Sequence, residues 1–170
     1  MPSKSHKIFN ALLYQVGWFA CMIIANPIYG AIAMLVMIAL HLSFVKERVK
    51  EFVFIIVAAS MGYGLDIALS KMAYLDLTIK TSGTYYLLIL WILFSTTLRS
   101  SMSVVLTKRK WAVLLGLSAP WAYWVGQNLG RVHYTEPFIL SMSLHALLWA
   151  LLMCFLYYFN DKLFGHHEKL

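Results

Sequence analysis

Charge is scarce in this sequence. Only 12% of its 170 residues are Asp, Glu, Lys or Arg, about half of the roughly 25% that a water-facing domain carries. Cysteine is scarcer still. Cys21 and Cys154 are too few for a disulfide framework or a metal site, and both fall in apolar runs as small buried side chains. Several familiar motifs are missing too: there is no phosphate-cradling glycine loop, no zincin histidine pair and no Gly-x-Ser-x-Gly elbow. His166-His167 near the end is too sparse for metal binding and reads as solvated tail. No cofactor and no metal are implied, and a non-enzymatic role is favoured.

What the chain has instead is apolar mass. Hydrophobic residues make up 61% of it and the mean hydropathy is +0.72. The few charges cluster between apolar stretches of about twenty residues, the length of helix that crosses about 30 Å of hydrocarbon. The expected fold is therefore all-α: a polytopic membrane helical bundle of six transmembrane helices, N-in/C-in, forming one domain over 1–170. The expected spans are 7–26, 27–45, 52–70, 84–105, 111–130 and 138–159. Asn26-Pro27 makes the first turn, since Pro27 suits a helix start. Lys46 to Glu51, the longer connection Lys71 to Gly83 with Lys80 and Ser82-Gly83, Thr107 to Lys110, and Arg131 to Pro137 make the others. The first run is too long for the apolar core of a cleavable leader and no small-x-small site follows, so it reads as a retained span.

Orientation follows from the basic residues. Ten Lys and Arg fall on the N-terminal side of the predicted bundle and three, Lys71, Lys80 and Arg131, on the other, which places both termini inside. The formal charge of +7 then belongs to loops facing anionic lipid, and no nucleic-acid partner is expected. Tyr85, Tyr86, Trp111, Tyr134, Tyr157 and Tyr158 fall near the predicted interfaces.

Polar residues inside apolar runs are costly and so informative, at about 2.5–3.5 kcal/mol for a mid-span charge. By depth they sort into two groups. Tyr63, Asp66, Tyr123, Gln127, Asn128 and His145 form an outer group, a candidate ligand pocket in which Asp66 and His145 would make a coupled acid–base pair. The bland alternative has Asp66 at the interface, neutralised by Lys71, and His145 bonding a neighbouring helix. His41, Ser95, Thr96 and Arg99 form an inner group able to hold an anion or a lipid head group. Its alternative is that span four ends at Arg99, which would then reach back to water. A direct Asp66–Arg99 ion pair is not expected. Gln15 either bridges the groups or joins helices.

Asn10 through Phe19 (NALLYQVGWF), Gly64-Leu65-Asp66, Trp91 through Leu98 (WILFSTTL) and Ala119 through Gly130 (APWAYWVGQNLG) together resemble the small bacterial inner-membrane family catalogued as domain of unknown function 2878. The resemblance covers nearly the whole chain. One departure is Arg99-Ser100-Ser101, where an Asn-His-Ser-like trio is expected. The resemblance implies a multi-pass protein of the bacterial inner (cytoplasmic) membrane with no established activity. It also implies an association with enzymes like cyclopropane-fatty-acid synthase. The leading functional expectation is an accessory protein for membrane-lipid binding or modification, partnered by membrane lipids or a lipid-modifying enzyme. The alternatives are a small proton-coupled transporter or flippase using Asp66 with His145, and an intramembrane lipid-modifying enzyme. A homodimer would supply the symmetry that transport needs and the sequence lacks.

Overall fold

The computed structural model describes residues 4–21, 27–77 and 84–165. It contains six α-helices: α1 (Lys4–Phe19), α2 (Pro27–Ser43), α3 (Arg48–Lys71), α4 (Tyr85–Leu98), α5 (Arg109–Asn128) and α6 (Phe138–Phe164). A 3₁₀ turn, Ser103–Leu106, follows α4. Two short strands, β1 (Leu75–Asp76) and β2 (His133–Tyr134), pair antiparallel, with Leu75 opposite Tyr134. The Asn26 part of the first expected turn, together with Lys80, Ser82-Gly83 and His166-His167, lies outside the described residues.

The six-span expectation is overturned. Among the described residues, α3 and α6 are the two helices long and apolar enough to cross a membrane. The reason is where the helices stop. Helix α4 has 14 residues, about 21 Å at 1.5 Å each, which falls short of about 30 Å of hydrocarbon. It ends at Leu98 with Arg99 as its cap, instead of continuing to residue 105. Among the described residues, α1 and α2 have 16 and 17 residues. Helix α5 has the length, but Arg109, Lys110, Ser118, Gln127 and Asn128 dilute its apolar content. The N-in/C-in orientation and the multi-pass inner-membrane placement rested on six spans and fall with them. The same holds for the broader description as a transmembrane, lipid-associated protein. The interior instead holds ion pairs and hydrogen-bonded side chains, with Glu51, Asp66, His41 and His145 all buried.

Helix α4 is the central post. It packs against α1, α2 and α3, and Tyr86, Leu87, Ile89 through Leu93 and Ser95 through Leu98 are all buried. Such all-round burial explains why its sequence, YYLLILWILFSTTL, shows no polar face. Around it lie two apolar clusters. One joins Phe54, Ile55 and Ala58 of α3 to Met153 and Leu156 of α6. The other joins Leu69, Leu75, Leu93 and Tyr134 at the strand end. Large apolar side chains also face outward, among them Ile8, Leu12 and Val16 on α1 and Leu147 and Leu151 on α6.

Two helix ends place the strands. Past α3, Ala73 N–H donates to Ser70 O and Tyr74 N–H to Leu69 O, both at 3.0 Å. Past α5, Gly130 N–H donates to Gln127 O at 2.9 Å and Arg131 N–H to Gly126 O at 3.0 Å. Both are Schellman ends, with the turning residue in the left-handed region at φ 59 for Ala73 and φ 69 for Gly130. The two turned chains then pair as β1 and β2, which brings Tyr134 over α6.

Candidate functional site

Asp66 lies on α3 one turn beyond Gly62, and the missing side chain at Gly62 lets the indole of Trp91 lie against α3. A Cβ at Gly62 would fall 2.2 Å from that ring. So seated, Trp91 Nε1–H donates to Asp66 Oδ2 at 2.7 Å. From α5, the Tyr123 hydroxyl donates to the same oxygen at 2.6 Å. Two donors on one oxygen are what a carboxylate accepts. The second oxygen, Oδ1, faces His145 Nε2 of α6 at 3.4 Å. Both residues are fully buried.

The chain of polar contacts continues past the histidine. The Tyr134 hydroxyl lies 2.7 Å from His145 Nδ1, and the Tyr134 N–H is held by Gln127 Oε1 at 2.8 Å. Burial first, and then the Asp66 charge, pushes both the Tyr134 and the Tyr123 hydroxyls above the usual phenol range, so both keep their protons. The protonation of the imidazole sets which way the Tyr134–Nδ1 bond runs, and Nε2 faces Asp66 Oδ1 across a gap too long for a strong bond.

In front of the carboxylate lies a cavity of about 190 Å³ between α1, α4, α5 and α6. Trp91 and Tyr123, the two donors to Asp66, form part of its wall. Trp149, stacked on Trp91 with ring centroids 4.4 Å apart, extends it. Tyr14 and Trp18 of α1 and Phe94 of α4 face them, while Ala119, Ala122 and Gly126 on α5 leave the room. Among the described residues no Lys, Arg, His, Asp or Glu lines the cavity. Asp66 and His145 sit behind the ring wall.

The inner group assembles differently. Glu51, in the first turn of α3, accepts from His41 Nε2 at 3.0 Å and from Arg99 Nε at 2.8 Å. A second Arg99 nitrogen donates to Asn160 Oδ1 of α6, and the guanidinium lies 3.2 Å from the centroid of the Phe164 ring. Asn10 of α1 closes the network: its amide reaches His41 Nδ1 at 3.3 Å and Thr96 Oγ1 at 3.4 Å, and its oxygen accepts from Ser101 Oγ at 2.8 Å. Thr96 and Ser95 hydroxyls donate to carbonyls of their own helix, Leu93 O and Trp91 O. Arg99 is thus held by Glu51 inside the chain, at the end of α4. An anion there would have to displace a buried carboxylate.

Of the outer residues named from sequence, the structure brings Asp66, Tyr123 and His145 together and links Gln127 through Tyr134. Tyr63 instead bonds the Thr84 hydroxyl at 2.7 Å. Asn128 donates to Trp124 O on its own helix. Gln15 is exposed. Sequence reasoning passed over Trp91, Tyr134, Trp149, Glu51, Asn10 and Asn160. For Glu51 a signal existed, because it abuts the apolar run Phe52 to Ala59 instead of lying mid-loop. Tryptophans in apolar runs carry no comparable signal. Among the described residues no three His, Cys, Asp or Glu converge as a metal site, and both cysteines are free.

A family model described as "Protein of unknown function (DUF2878)" matches residues 7–155. No curated protein and no solved structure matches the chain.

Proposed function

The chain belongs to the DUF2878 family, and we propose that it is a non-catalytic binding protein for a small, largely apolar molecule held in the aromatic cavity between α1, α4, α5 and α6. One observation carries this reading: the cavity is walled by aromatic rings, two of which are fixed by hydrogen bonds to a buried carboxylate. Preformed apolar pockets with a few convergent polar groups are the usual form of small-molecule sites. A cavity of about 150 Å³ is enough for benzene, so about 190 Å³ holds a compact group or the end of a longer one. The expected accessory role is kept here in its binding part alone, with the apolar end of a longer molecule as one candidate occupant. Binding is favoured over catalysis because Asp66 and His145 stand behind the rings. Neither lines the cavity.

The test is titration of the purified protein with 1-aminoanthracene, a neutral fluorescent probe, alongside an Ala122→Trp variant. Ala122 is exposed at the cavity mouth, so a bulky side chain there closes the pocket without disturbing the core. Saturable binding by the parent chain, lost in the variant, is the expected result. Equal binding by both would remove the cavity from consideration.

A further inference from the structure

We propose that the cavity is a slot for one extended, unbranched alkyl chain and that it rejects branched chains of the same composition; this rests on the binding reading above. The first reason is length. Ser118, Ala122 and Gly126 line the cavity from α5, and Tyr86, Leu90 and Phe94 line it from α4, each set at i, i+4 and i+8. Two helical turns from first to last residue span about 12 Å at 1.5 Å per residue, and both helices return the same length. The two sets run in opposite directions. At one end the Tyr86 hydroxyl reaches past α5 to donate to Arg131 O at 2.8 Å. Midway, Trp91 and Tyr123, the chain neighbours of Leu90 and Ala122, meet on Asp66. Phe94, with the Tyr14 ring of α1 centred 6.4 Å from its own, marks the Ser118 end.

The second reason is width. A volume of about 190 Å³ spread over about 12 Å leaves a mean cross-section of about 16 Å², a channel about 4 Å wide. Carbon atoms pack about 3.5–4.0 Å apart, so the slot is one chain wide. The third reason is access. Helix α1 packs on α2 and α4, and α5 packs chiefly on α6, so the slot runs between two helices that are held by different neighbours. Ser118 and Ala122 line it and are also exposed, which opens its long side to solvent. A polar head can therefore stay in water while the chain lies along the slot.

The experiment titrates the full chain with straight 1-alkanols, from 1-butanol to 1-dodecanol, by calorimetry and tryptophan fluorescence. Affinity is expected to rise about fourfold per added carbon. The rise should stop near about ten carbons, because an extended chain advances about 1.25 Å per bond. 1-Octanol should bind about tenfold more tightly than its isomer 2,2,4-trimethylpentan-1-ol, whose branches overfill a slot one chain wide. Ser118→Phe, at an exposed position, fills one end and should move the break to about five carbons. Equal affinities for the two isomers would overturn the slot proposal, as would a rise that continues unbroken past about ten carbons. A break that Ser118→Phe leaves in place, or no alkanol binding at all, would overturn it too. In each case 1-aminoanthracene binding that is lost in Ala122→Trp would still support the binding reading. Binding of none of these probes would overturn both.

Discussion

Gly62 and Trp91 compete for one volume: a Cβ on Gly62 would sit 2.2 Å from the indole, against ring atoms that have packed neighbours on the other side. The same indole holds Asp66 one turn along α3. A missing side chain on one helix thus sets the position of a ring on another, and the ring sets a carboxylate.

Gly62→Ala is accordingly expected to push Trp91 from its seat and break its bond to Asp66. Overpacking of this kind costs about 1–3 kcal/mol. Chemical denaturation reads the loss, and the Trp91 Nε1–H resonance reads the broken bond. An unchanged resonance would mean that the indole does not occupy this seat.

The two Schellman ends make an internal control. Ala73 and Gly130 take the same left-handed turn with the same pair of hydrogen bonds, yet only one is glycine. Ala73→Gly should therefore stabilise the chain, and Gly130→Ala should destabilise it, each by about 0.5–1 kcal/mol. Opposite shifts in denaturation midpoint are the signature. Shifts of the same sign would contradict the shared geometry.

Part of this arrangement was readable from the residues. Placing Asp66, Tyr123 and His145 at one depth, and His41 with Arg99 at another, needed only the helical rise. What stayed hidden was lateral. Depth says nothing about which faces meet, so it does not show that Tyr63 bonds Thr84 and that Asn128 bonds its own helix. Arg99 alone points to an external anion, whereas Glu51 lies beside it. Apolar run length also misled, because it does not separate a helix buried on all sides from one that faces lipid. Helix α4 is the case in point: fourteen residues, almost wholly buried, ending at Leu98. The strand pair that carries Tyr134 rests on turn geometry at Ala73 and Gly130, and Ala73 gives no sign of it.

At Gly116 the backbones of α5 and α6 approach closely. A Cβ there would meet the Ala150 Cα at 2.5 Å and the Trp149 carbonyl carbon at 2.8 Å. These are backbone atoms, which do not swing aside. Gly116→Ala should hence force the helices apart and cost about 1–3 kcal/mol, more than the better helix propensity of alanine returns. Because Trp149 belongs to the cavity wall, 1-aminoanthracene affinity should fall with it. A stability gain would show that the two backbones have room to separate.

Glu51 is the hinge of the inner network, since it accepts from both His41 and Arg99 while almost wholly buried. Glu51→Met leaves both donors without an acceptor, and breaking a buried pair from one side costs about 3–5 kcal/mol. Arg99 keeps some contact with water, with 16% of its side chain exposed, which puts the cost toward the lower end. Arg99→Met alone should also destabilise, because Glu51 is then held by His41 only. The double variant should recover part of the loss, since an apolar pair replaces two desolvated charges. Full recovery is not expected, because His41 Nε2 stays unpaired. The coupling should persist in high salt, as screening acts weakly on buried pairs. A denaturation cycle over the four chains measures it, and strictly additive costs would show that Glu51 and Arg99 do not interact.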